Sequence, residues 1–233
     1  MTIKTSQDFK KNASTKILVV GVFRSCTNLM KHMIDEYLVA NCVFNEWLWK
    51  HGLPPTLPEV SAIIPPEIPI VVMGVDPYKW HQSLFQFWLR RRPELISADC
   101  QISDFIVDNI FIYDNTRYHS SPKYIFNSPS DYWNQYYYSW LNWQAIKSQV
   151  IFINSQRLVE APSKVMSILS QRYEIPFVES QRSIILPKLK LGPTVKPLSD
   201  PSRKILDDTD RSNIRHRISP MVYNQLRFRY KSF

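Results

Sequence analysis

The sequence predicts an α/β fold, a three-layer sandwich with a central parallel sheet flanked by helices, and three observations carry that expectation. Continuous apolar runs recur at Ile17–Gly21, Ile68–Val75 and Val150–Ile153, the pattern of strands buried on both faces. Segments with apolar residues at helical spacing lie between them, so strand and helix alternate along the chain. The 233 residues suffice for one well-buried domain and are too few for two comfortable ones.

Each element has its own signal. Ile17–Gly21 ends on glycine, and Thr27 to Val39 then places Leu29, Met30, Met33, Ile34, Tyr37 and Leu38 on one helical face. Cys42 to Trp49 is expected to be the second strand. Pro54 to Pro69 carries six prolines and is expected to be loop. The strand Ile68–Val75 is stopped by Asp76-Pro77, and Pro77 suits the first turn of a helix running to about Arg92. Residues 97–130 mix Asn, Ser, Asp and Tyr and are expected to form a partly irregular substrate-side insertion. Asp131 to Lys147 predicts an aromatic-rich helix, Val150 to Ile153 a strand, and Ala161-Pro162 the start of a helix to Tyr173. Leu186 to Asp210 is expected to be loop and Pro220 to Tyr230 a closing helix. The expected organisation is a tail, 1–16, and one domain, 17–233, without internal repeats.

Composition narrows the function. Apolar residues at 44% and charged residues at 21% exclude wholesale disorder. No apolar run reaches the length of a membrane span, and Met1 to Lys16 lacks the apolar core of a signal peptide, so a cytoplasmic protein without membrane association is expected. Three unevenly spaced cysteines support neither a disulfide framework nor a zinc site. The net charge of +9 admits nucleic acid, yet the positives are scattered, with knots at Arg90–Arg92 and Arg211–Arg217. A pocket for a multiply charged small ligand explains the excess equally well, and nucleic acid is not expected.

Ligands of parallel sheets sit at the carboxyl ends of the strands, where Gly21 to Asn28 joins the first strand to its helix. Backbone amides at a helix start attract oxyanions. Arg24 adds a permanent charge, and Ser25, Thr27 and Asn28 add donors. A nucleoside-triphosphate loop needs a second glycine and then lysine, but Cys26 and Thr27 stand there.

Four segments together are more specific. Gly21-Val-Phe-Arg-Ser-Cys-Thr-Asn-Leu29 resembles the Arg-Ser-Gly-Thr-Asn/Thr loop of the sulfotransferases that use 3′-phosphoadenosine 5′-phosphosulfate (PAPS). Trp49-Lys50-His51-Gly-Leu-Pro54 is similar to that family's Lys-Thr-His-Leu-Pro segment. Val71 to Ser83, through Asp76-Pro77-Tyr78, is similar to its Arg-Asp/Asn-Pro-Tyr-x5-Ser element for the nucleotide 3′-phosphate. Ser130-Asp-Tyr-Trp-Asn-Gln-Tyr-Tyr-Tyr-Ser-Trp140 resembles its Trp-Asn-x-Tyr-Tyr-x-Ser-Trp helix. The segments keep family order across residues 17–175. Val75 departs from a usual Arg or Lys, Cys26 from a glycine, and Asn154-Ser-Gln-Arg-Leu158 from Arg-Tyr-Glu-Asp-Leu.

The resemblance implies a P-loop NTPase-like fold and metal-free, in-line transfer of a sulfuryl group from PAPS to a hydroxyl or amine of a small-molecule acceptor, such as a natural product, with 3′-phosphoadenosine 5′-phosphate (PAP) as product. It implies that Arg24, Ser25, Cys26, Thr27, Asn28 and Ser83 bind the donor, with Arg211, Arg215 or Arg217 replacing the charge missing at Val75. Lys50 would stabilise the transition state. His51 is the expected general base, because a histidine pKa lies near working pH, with Glu46, His81 and His119 as rivals. Glu46, His119, Tyr132, Trp133 and Tyr136 are expected on the acceptor side, although helical spacing also suits those aromatics to a core. A small-molecule kinase and a non-catalytic nucleotide-binding relative remain alternatives, and monomer or homodimer stays open.

Overall fold

The computed structural model describes residues 15–54, 64–91, 96, 99–108, 111–113, 124–146, 149–178 and 205–231. They fall into two compact units, divided after Gly74, Ser139 and Leu189.

The first unit is α/β. Strands β1 (Lys16–Gly21), β2 (Asn41–Val43), β3 (Ile70–Gly74) and β6 (Val150–Asn154) form a parallel sheet in the order β2-β1-β3-β6. Register pairs Ile17 with Cys42, Gly21 with Met73, and Met73 with Ile153. The chain leaves β1 through helix α1 (Thr27–Tyr37) to β2 on one side and returns to β3 on the other. That reversal makes the carboxyl ends of β1 and β3 the switch point, where such sheets bind ligands.

Both sheet faces are buried, which explains the unbroken apolar runs. On one face Ile17, Val19, Val71, Met73, Ile151 and Ile153 pack in a single cluster with Met30, Met33 and Ile34 of α1 and Val165, Met166 and Leu169 of a later helix. On the other, Leu18, Val20 and Val72 are fully buried. That later helix, α6 (Pro162–Tyr173), opens on proline as expected and follows a short helix, α5 (Ser155–Glu160), capped by Asn154.

The second unit holds α2 (Pro77–Arg91), α3 (Ile102–Asp108), the antiparallel pair β4 (Phe111–Tyr113) and β5 (Tyr124–Phe126), and two closing helices, α7 (Asp208–Arg217) and α8 (Pro220–Lys231). Helix α4 (Pro129–Ile146) contributes its first turns here and its last to the first unit. Three sequence expectations need correction. β2 stops at Val43 rather than Trp49, because the chain turns through Asn45 at φ 58°. Residues 208–210 are helix rather than loop, since Asp207 and Asp210 form a capping box that starts α7. Helix α5 stands where none was expected. The expected tail lies almost wholly outside the described residues, as do residues 186–204 of the expected 186–210 loop and 97–98, 109–110 and 114–123 of the insertion. Among the described residues no helix is long and apolar enough to cross a membrane.

Candidate functional site

The loop after β1 is built around Gly21. Its N–H donates to the Lys50 carbonyl at 2.8 Å, and its own carbonyl lies 2.7 Å from His51 Nδ1. The ring nitrogen must carry the hydrogen in that bond, which fixes the tautomer. Beyond Gly21 the chain folds back. Ser25 Oγ donates to the Val22 carbonyl at 2.7 Å, and Ser25 is buried.

Arg24 and Cys26 both lie in the left-handed region, at φ 63° and 65°. Left-handed residues alternating along a turn aim successive amides at one concavity, the arrangement that holds phosphate-like anions. Cys26 is also the N-cap of α1 and supplies no side-chain cap, and the first turn carries no acidic residue. By contrast, the first amides of α5 and α7 are answered by Asn154 and Asp207. The head of α1 therefore presents its dipole to the loop without an internal carboxylate.

Cys26 stands where the resembling family has glycine, and its conformation gives the reason glycine is favoured there. An L-residue in this region costs about 1–2 kcal/mol. Cys26→Gly is expected to be more stable than Cys26→Ala by about 1 kcal/mol, because both lose the thiol and only glycine relieves the backbone. Thermal unfolding of the two variants side by side checks this. Burial raises the Cys26 pKa, with Arg24 partly opposing, so the residue is a thiol rather than a nucleophilic thiolate.

Lys50 and His51 face the loop from the segment after β2. Asn45 braces this segment, its Oδ1 accepting from the Lys50 N–H at 3.0 Å, and asparagine tolerates the left-handed turn required there. Sequence reasoning missed Asn45; a lone Asn before an aromatic run was its only signal. Lys50 Nζ donates to Asn28 Oδ1 at 2.8 Å and lies 4.8 Å from the Phe44 ring centroid. Burial pulls its pKa below the ordinary lysine value.

His51 is enclosed by aromatic rings. It is buried, with the Phe23 ring centroid 4.4 Å away and Trp49 edge-on at 5.1 Å. Burial pushes its pKa down to about 3, with the Gly21 hydrogen bond opposing and the Lys50 charge reinforcing. Such a ring is neutral at physiological pH, with Nδ1 engaged on the Gly21 carbonyl. Through that bond it ties the loop to the segment after β2.

The rival bases are also committed or out of view. His81 is fully buried, its Nδ1 2.7 Å from the Pro77 carbonyl and its Nε2 2.9 Å from Ser130 Oγ, with burial lowering its pKa to about 4. Glu46 pairs with Lys16 at 2.5 Å. His119 lies outside the described residues.

The other expected site residues belong to the second unit. Tyr132, Trp133 and Tyr136 are no more than 1% exposed and form its aromatic core rather than an open acceptor surface. Trp133 Nε1 donates to the Val75 carbonyl at 3.2 Å, and the Val75 N–H donates to Tyr137 Oη at 3.2 Å, so both backbone groups of Val75 are engaged. Asp76 Oδ1 accepts from the Tyr78 and Lys79 N–H groups at 3.0 and 3.1 Å, which occupies the first amides of α2. Ser83 is half-buried on that helix. A cleft of about 570 Å³ opens beside Pro77 and Tyr78, and both Arg211 and Arg215 of α7 line it; Arg217 does not. Among the described residues no group of three or more His, Cys, Asp or Glu side chains converges.

Comparison of the chain with protein-family models, with curated proteins and with solved structures returned no match.

Proposed function

We propose that the protein is a sulfotransferase of P-loop-like fold that moves a sulfuryl group from PAPS to a hydroxyl or amine of a small molecule. The observation that carries this reading is the loop after β1, with left-handed Arg24 and Cys26 ahead of a helix whose first turn lacks a side-chain cap. The four segments quoted above add the choice of sulfuryl over phosphoryl chemistry.

The loop fits a tetrahedral oxyanion, since a Cβ on Gly21 would fall 2.2 Å from Ser25 Oγ and close the fold-back that shapes it. Bound PAPS supplies the activated sulfuryl group and PAP as leaving group. The chain's part is positioning and charge stabilisation, as in phosphoryl transfer. Loop amides and Arg24 hold the oxyanion. Lys50, beside Asn28 at the head of α1, stabilises charge that develops on it. Half-desolvation makes that ammonium a stronger partner than one in water. His51 keeps the Gly21 carbonyl, and with it the loop, in place.

The second reading is a nucleotide-binding relative without transfer, favoured by the burial of His51 and by Val75 standing where the resembling family has Arg or Lys. Calorimetric titration with PAP tests binding: saturation is expected, and no heat at high micromolar PAP would end both readings. Arg24→Ala is expected to weaken PAP binding at least about tenfold, the worth of a charge-assisted hydrogen bond. Transfer of sulfur-35 from labelled PAPS to any member of an acceptor panel then separates the enzyme from the binding relative.

A further inference from the structure

Phe44 directly follows β2 and lies outside the four motif segments. Its half-buried ring packs against the core cluster of the first unit. Two ammonium groups lie over that ring, Lys50 Nζ at 4.8 Å and Lys31 Nζ at 5.7 Å from its centroid. An aromatic face carries negative charge density and attracts a cation at such distances.

The two lysines are in different states. Lys31 Nζ donates to Asp35 Oδ2 at 2.6 Å and to the Cys42 carbonyl at 2.9 Å, and Asp35 Oδ1 accepts from the Cys42 N–H at 2.8 Å. β2 stands at one edge of the sheet, so this pair takes the place of a neighbouring strand for Cys42 and fixes the strand end from which Phe44 departs. The charge of Lys31 is matched by Asp35. Lys50 makes no ion pair among the described residues; Asn28 Oδ1, at 2.8 Å, and the Phe44 ring hold its ammonium. Burial disfavours a charged amine, and it is burial that lowers the Lys50 pKa. A carboxylate partner would offset that burial but cancel the charge seen by an incoming anion. An aromatic face and an amide oxygen stabilise the cation and leave its net charge whole.

We infer that Phe44 is the positioning residue for Lys50: its ring, anchored on the core and at the end of β2, holds the ammonium beside Asn28 at the head of α1 as an uncancelled positive charge for the oxyanion of the β1 loop. The inference rests on the reading of that loop as an oxyanion site. Phe44 acts through Lys50 alone.

Site-specific replacement of Phe44 by a trifluorinated phenylalanine tests this, because fluorine withdraws the negative face while the shape of the ring is nearly kept. Two quantities are measured on the full chain: the pH at which the Lys50 ammonium loses its proton, followed by NMR through Lys50 Cε, and the affinity for PAP by calorimetry. The fluorinated ring is expected to lower that pH and to weaken PAP binding about threefold, the worth of a partly exposed cation–π contact. Phe44→Tyr, which keeps the aromatic face, should stay near wild type in both. In a Lys50→Met background the fluorinated and natural rings should bind PAP equally, a result that general loosening of the loop would not give. The proposal is overturned by a Lys50 titration that fluorination leaves unchanged, or by a threefold loss that persists in Lys50→Met. A wild type that does not bind PAP would end the nucleotide readings, and the Lys50 titration, which needs no ligand, would still uphold or overturn the placement of the ammonium by Phe44.

Discussion

Gly21→Ala is expected to lower the free energy of unfolding by about 3 kcal/mol, the upper end of the overpacking range. The added methyl would lie 2.2 Å from Ser25 Oγ, 2.8 Å from Met73 Cβ and 3.0 Å from Thr27 Cγ2. The Ser25 hydroxyl can rotate away, at the expense of its bond to Val22. Met73 Cβ cannot, because Met73 pairs with Gly21 in the sheet register and its side chain belongs to the packed core. Either β1 and β3 spread or the loop lifts, and both undo the amide concavity. Urea unfolding of the variant measures the loss. In the Gly21→Ala background, Ser25→Gly should recover about 1 kcal/mol by removing the shorter contact. A Gly21→Ala protein within 1 kcal/mol of wild type would refute this account of the loop.

The second large effect is a loss of stability in mild acid. His51 and His81 have folded pKa values of about 3 and about 4, against an ordinary 6.5. Between those limits the unfolded chain binds protons that the folded chain refuses. Stability is therefore fully present above pH 6.5 and falls as pH falls, by up to about 1.4 kcal/mol per unit for each histidine. From pH 7.5 to pH 5.0 the two together predict a loss approaching 4 kcal/mol in urea unfolding. His51→Asn keeps a donor near Gly21 and cannot titrate, so it should remove about half of the slope. His51→Asn combined with His81→Asn should flatten it. An unchanged slope in the double variant would mean that other groups control the acid response.

Much of the fold was legible because its signals are local. The strand β1 and helix α1 follow from the Ile17–Gly21 run and the spacing of Met30, Met33 and Ile34, all of which are buried as that pattern requires. Pro77 and Pro162 each marked a helix start. α7 was missed because Asp208–Arg217 buries one apolar side chain, Ile214, and so has no apolar stripe; its readable mark was the Asp207–Asp210 box. In the site, the loop and the proximity of Lys50 could be read, but the state of His51 could not. Its burial comes from Phe23, 28 residues away in sequence, and no single-residue pattern encodes that encounter. Tyr132, Trp133 and Tyr136 show the converse, since their helical spacing spoke for a core and the core is where they lie.

The double tie on Gly21 has a consequence for anyone who would move this loop elsewhere. Gly21 spends its amide on Lys50 and its carbonyl on His51, so residues 21–27 and 45–51 form one mechanical part in two pieces of chain. A chimera that transplants the first piece alone would leave the end of β1 with two backbone groups seeking new partners. The transferable unit is the pair, and a designer would have to carry the Asn45 turn with it.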